Sequence, residues 1–238
     1  MKILLLGYGK MGKAIEAIAL KRGHEIVGKL NDENLADLED FNGSNTDVAI
    51  EFSQPDAAYD NLEYCMENGI PAISGTTGWL EQKPEIEHLC ESNKGAFFYA
   101  SNYSIGVNVF FKVNEYLAEL MEQYKEYDIS IEEIHHTEKK DVPSGTAISI
   151  AEGILDNNQN KKAWTIDPSE NDSELHITAL RKDKVPGTHT VKYSSPIDDI
   201  EIKHTAHSRE GFALGAVLVS EWIQGKEGVL SMDDFLDI

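Results

Sequence analysis

The sequence predicts an α/β protein, a doubly wound parallel sheet joined to a second, mixed α+β domain. Three observations carry that prediction. Short apolar runs alternate with helical stripes through the first hundred residues, the rhythm of a parallel sheet with helices on both faces. The first of those runs ends in a glycine-rich turn that opens a helix. Past residue 104 the alternation stops, and strand-like stretches gather late in the chain.

In chain order, residues 2–6 (KILLL) form a short apolar run suited to a buried parallel strand. Met11, Ala14, Ile15, Ile18 and Ala19 then share one helical stripe that ends near Gly23. Residues 25–30 and 47–52 read as the second and third strands, 56–68 as a helix, and 70–74 as a strand. A helix over 81–92 and a strand over 97–101 complete the series. A long helical pattern over 106–124 places Phe110, Val113, Leu117, Leu120 and Met121 on a stripe read as core rather than as a subunit contact. Residues 128–136 read as a strand and 144–157 as a helix. Three further strands are expected at 173–181, 187–195 and 198–208. The apolar helix over 212–225 suits the first sheet better than the second. The expected domains are therefore 1–104 with 210–238, for dinucleotide binding, and 105–209, for substrate binding and oligomerisation.

A formal charge of −21 argues against nucleic acid as a partner, because phosphate binding needs a basic footprint. An anionic ligand must then be drawn in by a local group of cations, since the overall field repels it. No apolar run reaches the length of a membrane span, and MKILLLGYG runs straight into a turn without a cleavage pattern. Cys65 and Cys90 lack metal-ligand spacing, so a reduced, cytoplasmic protein without a membrane partner is expected.

Gly7-Tyr8-Gly9-Lys10-Met11-Gly12 is G-x-G-x-x-G, placed directly between a strand and a helix, as in a Rossmann-type sheet. Gly7 permits the tight turn, Gly9 lets backbone approach a pyrophosphate, and Gly12 lets helix and strand pack closely. Asp32 lies 20 residues past Gly12, at the end of the second strand, where an acid meets the adenosine ribose. A carboxylate there accepts from a 2′-hydroxyl and repels a 2′-phosphate, which favours NADH over NADPH. Lys10 can meet a phosphate and keeps NADPH open. Two further turns at strand ends on the same edge, Gly75-Thr76-Thr77-Gly78 and Ala100-Ser101-Asn102-Tyr103, are placed to line the nicotinamide.

The most informative stretch is 132–147, EEIHHTEKKDVPSGTA. Two imidazoles and an ammonium can bind anions and donate protons. Ser144-Gly145-Thr146 puts unpaired backbone N–H groups at a helix start, where carboxylate or phosphate is favoured. If the strand stays extended through 136, His135 and His136 face opposite sides of it. His204 and His207 have no third residue spaced to close a metal site, so no metal is expected. Arg209, at the second crossing, is either a hinge residue or a substrate contact.

With these segments together the chain resembles the dihydrodipicolinate reductase family over essentially its whole length. The matching string is Glu132, His135, His136, Lys139, Asp141 and 143–147 (PSGTA). It is supported by Phe52-Ser53-x-Pro55, 74–78 (SGTTG), 100–108 (ASNYSIGVN), 204–215 (HTAHSREGFALG) and 232–236 (MDDFL). The first glycine turn is one residue shorter than the family form, although Met11 and Gly12 fall in place, and the brief 157–200 region suggests trimmed strands. The resemblance implies reduction of a cyclic dicarboxylate by NAD(P)H in lysine and diaminopimelate synthesis. It implies His135 and Lys139 as the acid–base pair, and His136, Gly145 and Thr146 as carboxylate ligands. It also implies a homotetramer built through the second domain's sheet. Two rivals are a different dehydrogenase on the same plan and a dinucleotide sensor without chemistry; the 143–147 run counts against the first, and Lys139 with His135 against the second.

Overall fold

The computed structural model describes residues 1–167, 171–208 and 210–237. The chain divides into two compact units, Met1–Ile105 with Glu210–Ile238, and Gly106–Arg209.

The first unit is built on six parallel strands: β1 (Lys2–Leu6), β2 (Glu25–Leu30), β3 (Val48–Glu51), β4 (Ala72–Ser74), β5 (Ala96–Tyr99) and β11 (Gly228–Leu230). Their order is β11-β5-β4-β3-β1-β2, all neighbours parallel. Alternation along each strand sends side chains to two separate cores. Ile3, Leu5, Val48, Ile50, Ile73 and Phe98 pack under α1 (Lys10–Lys21) and α6 (Glu210–Trp222). Leu4, Leu6, Ala49, Ala72 and Phe97 pack under α2 (Pro55–Glu67) and α3 (Lys83–Ser92). Helices on both faces make the sheet doubly wound, and the late apolar helix joins the first sheet. The order in which strands are added reverses between β1 and β3, so the carboxyl ends of those parallel strands open a crevice. The short β11 and the closing α7 (Met232–Leu236), capped by Ser231 accepting from Asp234 N, went unread as elements in the sequence. A three-residue strand and a single helical turn carry too little periodicity to detect.

The second unit has a five-stranded mixed sheet ordered β10-β9-β6-β8-β7, from β6 (Asp128–His135), β7 (Ala163–Thr165), β8 (Glu174–Arg181), β9 (Gly187–Ser194) and β10 (Asp199–Ala206). Strands β6 and β8 run parallel; β6, β9 and β10 run antiparallel in sequence. Ile129, Ile131, Leu175, Ile177, Val191 and Tyr193 form its inner face under α4 (Ile105–Met121) and α5 (Gly145–Asn157). Within the 157–200 region β7 spans three residues, and β8 and β9 eight each.

The stripe expected on α4 is split. Phe110 and Met121 are buried, but Val113 and Leu120 stand 46% and 47% exposed. The buried face runs through Val107, Phe110, Asn114, Ala118 and Met121. Asn114 donates to the Ile150 carbonyl of α5 at 3.0 Å and lies close to Gly153 of that helix, and Asn158, just past α5, donates to the Ala118 carbonyl at 3.2 Å. Small and amide residues at a close helix contact are invisible to an apolar count.

Candidate active site

In the first unit the glycine turn follows its backbone requirements. Gly7 sits at φ +93°, and a Cβ there would fall 2.2 Å from the Phe52 carbonyl oxygen; its N–H donates to Leu30 O at 2.9 Å. Gly12 is constrained by the turn itself and not by the strand, since its Cβ would stand 2.4 Å from Gly7 O. A Cβ on Gly9 would meet nothing within 4 Å. Gly9 is also the N-cap of α1 and offers no side-chain cap, so the first-turn N–H groups face open space. That is the environment a pyrophosphate needs at a helix start. Lys10 is exposed there, whereas Met11 packs partly into the first core.

Gly7, Gly9, Asp32, Phe52, Ser53 and Gln54 border a pocket of about 220 Å³ at the mouth of the β1/β3 crevice. Asp32 is exposed at its rim. The cation nearest in sequence on that strand, Lys29, is already paired with Glu16 at 2.5 Å, and Glu16 also accepts from the Tyr8 hydroxyl.

Glu51, at the end of β3, escaped the sequence reading. It is fully buried and accepts from Ser53 N (2.8 Å), Ser53 Oγ (2.6 Å), Ser74 Oγ (2.6 Å) and Thr76 Oγ1 (2.8 Å). One carboxylate thus ties the turn after β3 to the turn after β4. Thr76 spends its hydroxyl on this bond, Thr77 is exposed, and Gly75 lies against the Phe52 ring, which a Cβ would strike at 2.3 Å. Of the turn after β5, Ala100 is buried, Ser101 is exposed, and Asn102 caps Ser104 N at 2.9 Å. Tyr103 does not present its ring to a ligand. It is buried against Phe52 and Phe98 with its hydroxyl on Ser74 O at 2.8 Å.

In the second unit the strand rows change character at one end. Inward positions on β6 run Ile129, Ile131, then Glu133 and His135; on β8, Leu175, Ile177, Ala179, then Arg181; on β9, Tyr193 and Val191, then His189. Glu133 lies directly opposite His189, and His135 beside Arg181. The apolar face therefore ends in a cluster of charged and polar groups.

Glu133 is its centre, fully buried. Its Oε2 lies 3.1 Å from His135 Nδ1 and 3.8 Å from His189 Nε2. Its Oε1 accepts from Ser144 N at 3.1 Å and from both Arg181 Nη atoms at 3.2 Å. Burial alone would raise this carboxyl, but the contacts from His135 and Ser144 prevail and hold it at about 2. Burial, with the neighbouring His135, lowers His189 to about 4, so that imidazole is neutral at pH 7. Its ring stands 5.1 Å from that of His135, and its Nε2 lies 3.3 Å from Ser144 Oγ.

The strand stops at His135, which settles how the two histidines are disposed. His135 faces the buried cluster. His136 lies beyond the strand, partly exposed, on a pocket of about 350 Å³ shared with Lys184 and Pro186. Lys139 Nζ pairs with Asp141 Oδ2 at 2.8 Å, which lowers the Asp141 carboxyl. Ser144 caps α5, accepting from Ala147 N at 3.2 Å, with Gly145 exposed and Thr146 partly so at the open first turn. His204 is half-buried beside Phe110, and His207 is exposed. Arg209 lies outside the described residues.

Two family models cover the chain: dihydrodipicolinate reductase, N-terminus, over residues 1–103, and dihydrodipicolinate reductase, C-terminus, over 106–236. The chain belongs to the dihydrodipicolinate reductase family. A 4-hydroxy-tetrahydrodipicolinate reductase from Christiangramia forsetii is 50% identical over 236 residues, spanning 99% of this chain and 98% of that protein. One from Methanococcoides burtonii is 37% identical over 256 residues, spanning 96% and 95%. A solved dipicolinate-bound dihydrodipicolinate reductase from a Paenisporosarcina species shares the fold at TM-score 0.80 and 21% identity, with 99% of each chain covered.

In this dihydrodipicolinate reductase family member, the two adjacent acids at the start of the matched segment are placed differently. Glu132 is exposed on the outer side of β6, and Glu133 is the acid turned inward to the histidines. A signal was available. An acid at the apolar parity of β6 and a histidine at that of β9 have no reason to be there unless they meet partners.

Proposed function

We propose that the chain reduces 4-hydroxy-tetrahydrodipicolinate, or the dihydrodipicolinate formed from it by loss of water, to tetrahydrodipicolinate with NAD(P)H, in lysine and diaminopimelate synthesis. The observation that carries this reading is the 133–147 segment. It places His135 on a buried carboxylate, Lys139 against Asp141, and the open amino end of α5 within one short stretch of chain.

The nicotinamide dinucleotide supplies hydride when bound. Gly7, Gly9, Lys10, Met11 and Gly12 would hold its pyrophosphate at the start of α1, and Asp32 its adenosine ribose. The open space over Gly9 and the uncapped helix end support this fit. Backbone of the turns at Gly75-Thr76-Thr77 and Ala100-Ser101-Asn102-Tyr103 would line the nicotinamide, since Thr76 and Tyr103 have committed their side chains elsewhere. Asp32, with Lys29 already neutralised by Glu16, favours NADH.

Reduction adds hydride to a ring carbon and a proton to the ring. Negative charge builds on the conjugated imine as hydride arrives. An ammonium at Lys139 stabilises that charge and then donates the proton, with His135 as its acid–base partner. His136 and the Gly145 and Thr146 backbone and hydroxyl would hold the substrate carboxylates. Among the described residues no helix is long and apolar enough to cross a membrane, and Cys65 and Cys90 are both buried free thiols, in keeping with a cytoplasmic enzyme. Leu180 stands 38% exposed beside Ile134 on the outer face of the second sheet, and that face is our candidate for the homotetramer contact.

The test follows oxidation of NADH and of NADPH while substrate is generated in situ from pyruvate and aspartate semialdehyde by its synthase. Substrate-dependent turnover that falls about 10²-fold or more in Lys139→Ala is the expected result. Asp32→Ala should narrow the NADH preference. No turnover from protein that binds dinucleotide would discard the substrate assignment.

A further inference from the structure

The pairing of buried Glu133 with the partly exposed Arg181 does more than neutralise a buried carboxylate. From Glu133 one branch leads to His135 at 3.1 Å and another to Ser144 N, at the entry to α5. Through Arg181 a third branch leads to the loop between them. Arg181 Nη2 donates to the Asp141 carbonyl at 2.6 Å, and Nη1 to the Leu180 carbonyl at 2.9 Å. Asp141 in turn carries the carboxylate that holds Lys139 Nζ at 2.8 Å. The strand end is fixed as well, since Lys182 N donates to His135 O at 2.7 Å. His135, Lys139 and Ser144, at the entry to α5, are thus each one or two contacts from a single ion pair.

Sheet register explains why this pair can serve both. Arg181 stands opposite His135 on β8, so its guanidinium crosses from the strand to the 136–144 loop without leaving the inner face. A guanidinium presents several donors in one plane, and here two carbonyls and a carboxylate accept from the two Nη groups, while Nε has no partner among the described residues. A lysine offers one compact charge and cannot span the same three acceptors. Gly187 completes the fit: a Cβ there would stand 3.0 Å from His135 Nε2.

We propose that Glu133 and Arg181 together form the positioning device of this reductase, setting His135, Lys139 and the amino end of α5 in one geometry. Neither residue is assigned contact with substrate. The inference rests on the reductase reading above, in which His135 and Lys139 are the acid–base pair.

The experiment is a double-mutant cycle with Glu133→Gln, Arg181→Lys and the double variant, in the full-length protein. It reads kcat, KM for the dicarboxylate, the NADH dissociation constant and the folded fraction. Wild-type turnover in the same assay tests the reductase reading separately. Each single variant should lose at least about 30-fold in kcat per folded enzyme, with NADH binding within about twofold of wild type. The double variant should be at most about threefold worse than the poorer single, because the pair acts as a unit. Should Glu133→Gln fail to fold, Arg181→Lys, which keeps the charge, carries the test through its kcat. Singles that hold kcat within threefold, or losses that multiply in the double, would overturn the proposal. So would loss of activity that only tracks loss of folded protein.

Discussion

Glu133 and His189 sit opposite each other on adjacent strands, and their protonation behaviour differs in a way that stability can report. Burial keeps His189 neutral down to about pH 4, against an ordinary 6.5. As pH falls below 6.5 the unfolded chain takes up this proton first, so folding loses free energy between 6.5 and 4 and keeps it above 6.5. The depressed Glu133 carboxyl acts at lower pH: its contribution is intact above 4.5 and disappears as pH falls toward about 2. Denaturant unfolding at pH 7.5 and at pH 5 separates the two. Wild type should lose about 2 kcal/mol more across that interval than His189→Gln. Equal losses would mean that His189 accepts a proton in the folded state as readily as in the unfolded one.

At the scale of elements, the chemistry collects where strands end. In the first sheet Glu51 closes β3 and draws in the turns after β3 and β4; in the second, Glu133, His135, Arg181 and His189 close the inner rows of β6, β8 and β9. The helix that starts at Lys10 gives the sharpest contrast between ligand space and packing space. A methyl group on Gly9 meets no protein atom within 4 Å, whereas one on Gly12 stands 2.4 Å from Gly7 O. Gly9→Ala should leave the melting temperature within about 2 °C and raise the NADH dissociation constant about tenfold, because only the ligand feels it. Gly12→Ala should instead cost about 2 kcal/mol of stability, read as a drop in melting temperature. A reversed pattern would remove the pyrophosphate from this turn.

Across the whole molecule, each unit carries its own sheet and packs its own apolar residues, and the chain as a whole carries a formal charge of −21. A positively charged neighbourhood for a dicarboxylate therefore has to be local, and Lys139, Lys140, Arg181, Lys182 and Lys184 are gathered on and beside one loop of the second unit. The outer face of that unit's sheet pairs Leu180 with Ile134 across β8 and β6. If this face makes the proposed homotetramer contact, light scattering on Leu180→Asp should give a smaller species than the wild type, with unchanged circular dichroism. An unchanged mass would place the subunit contact elsewhere.

The sequence by itself determined the doubly wound sheet, the glycine turn with Asp32 beyond it, and the 132–147 segment as the candidate site. Each of these is local: periodicity, turn backbone and helix-start chemistry are written in neighbouring residues, and the family string is contiguous. What pairs across distance was decided only in the tertiary structure. Glu133 meets His189 and Arg181 because β6 lies between β9 and β8, a strand order that no periodicity contains. His135 faces inward and His136 does not because β6 ends between them. Val113 and Leu120 of the α4 stripe stay exposed because Asn114, not a larger apolar residue, meets α5 on the buried face. Glu51 gains its role only because Ser53, Ser74 and Thr76 converge on it from two turns. Partner choice at buried polar positions follows from strand order and register, and these are properties of the folded chain alone.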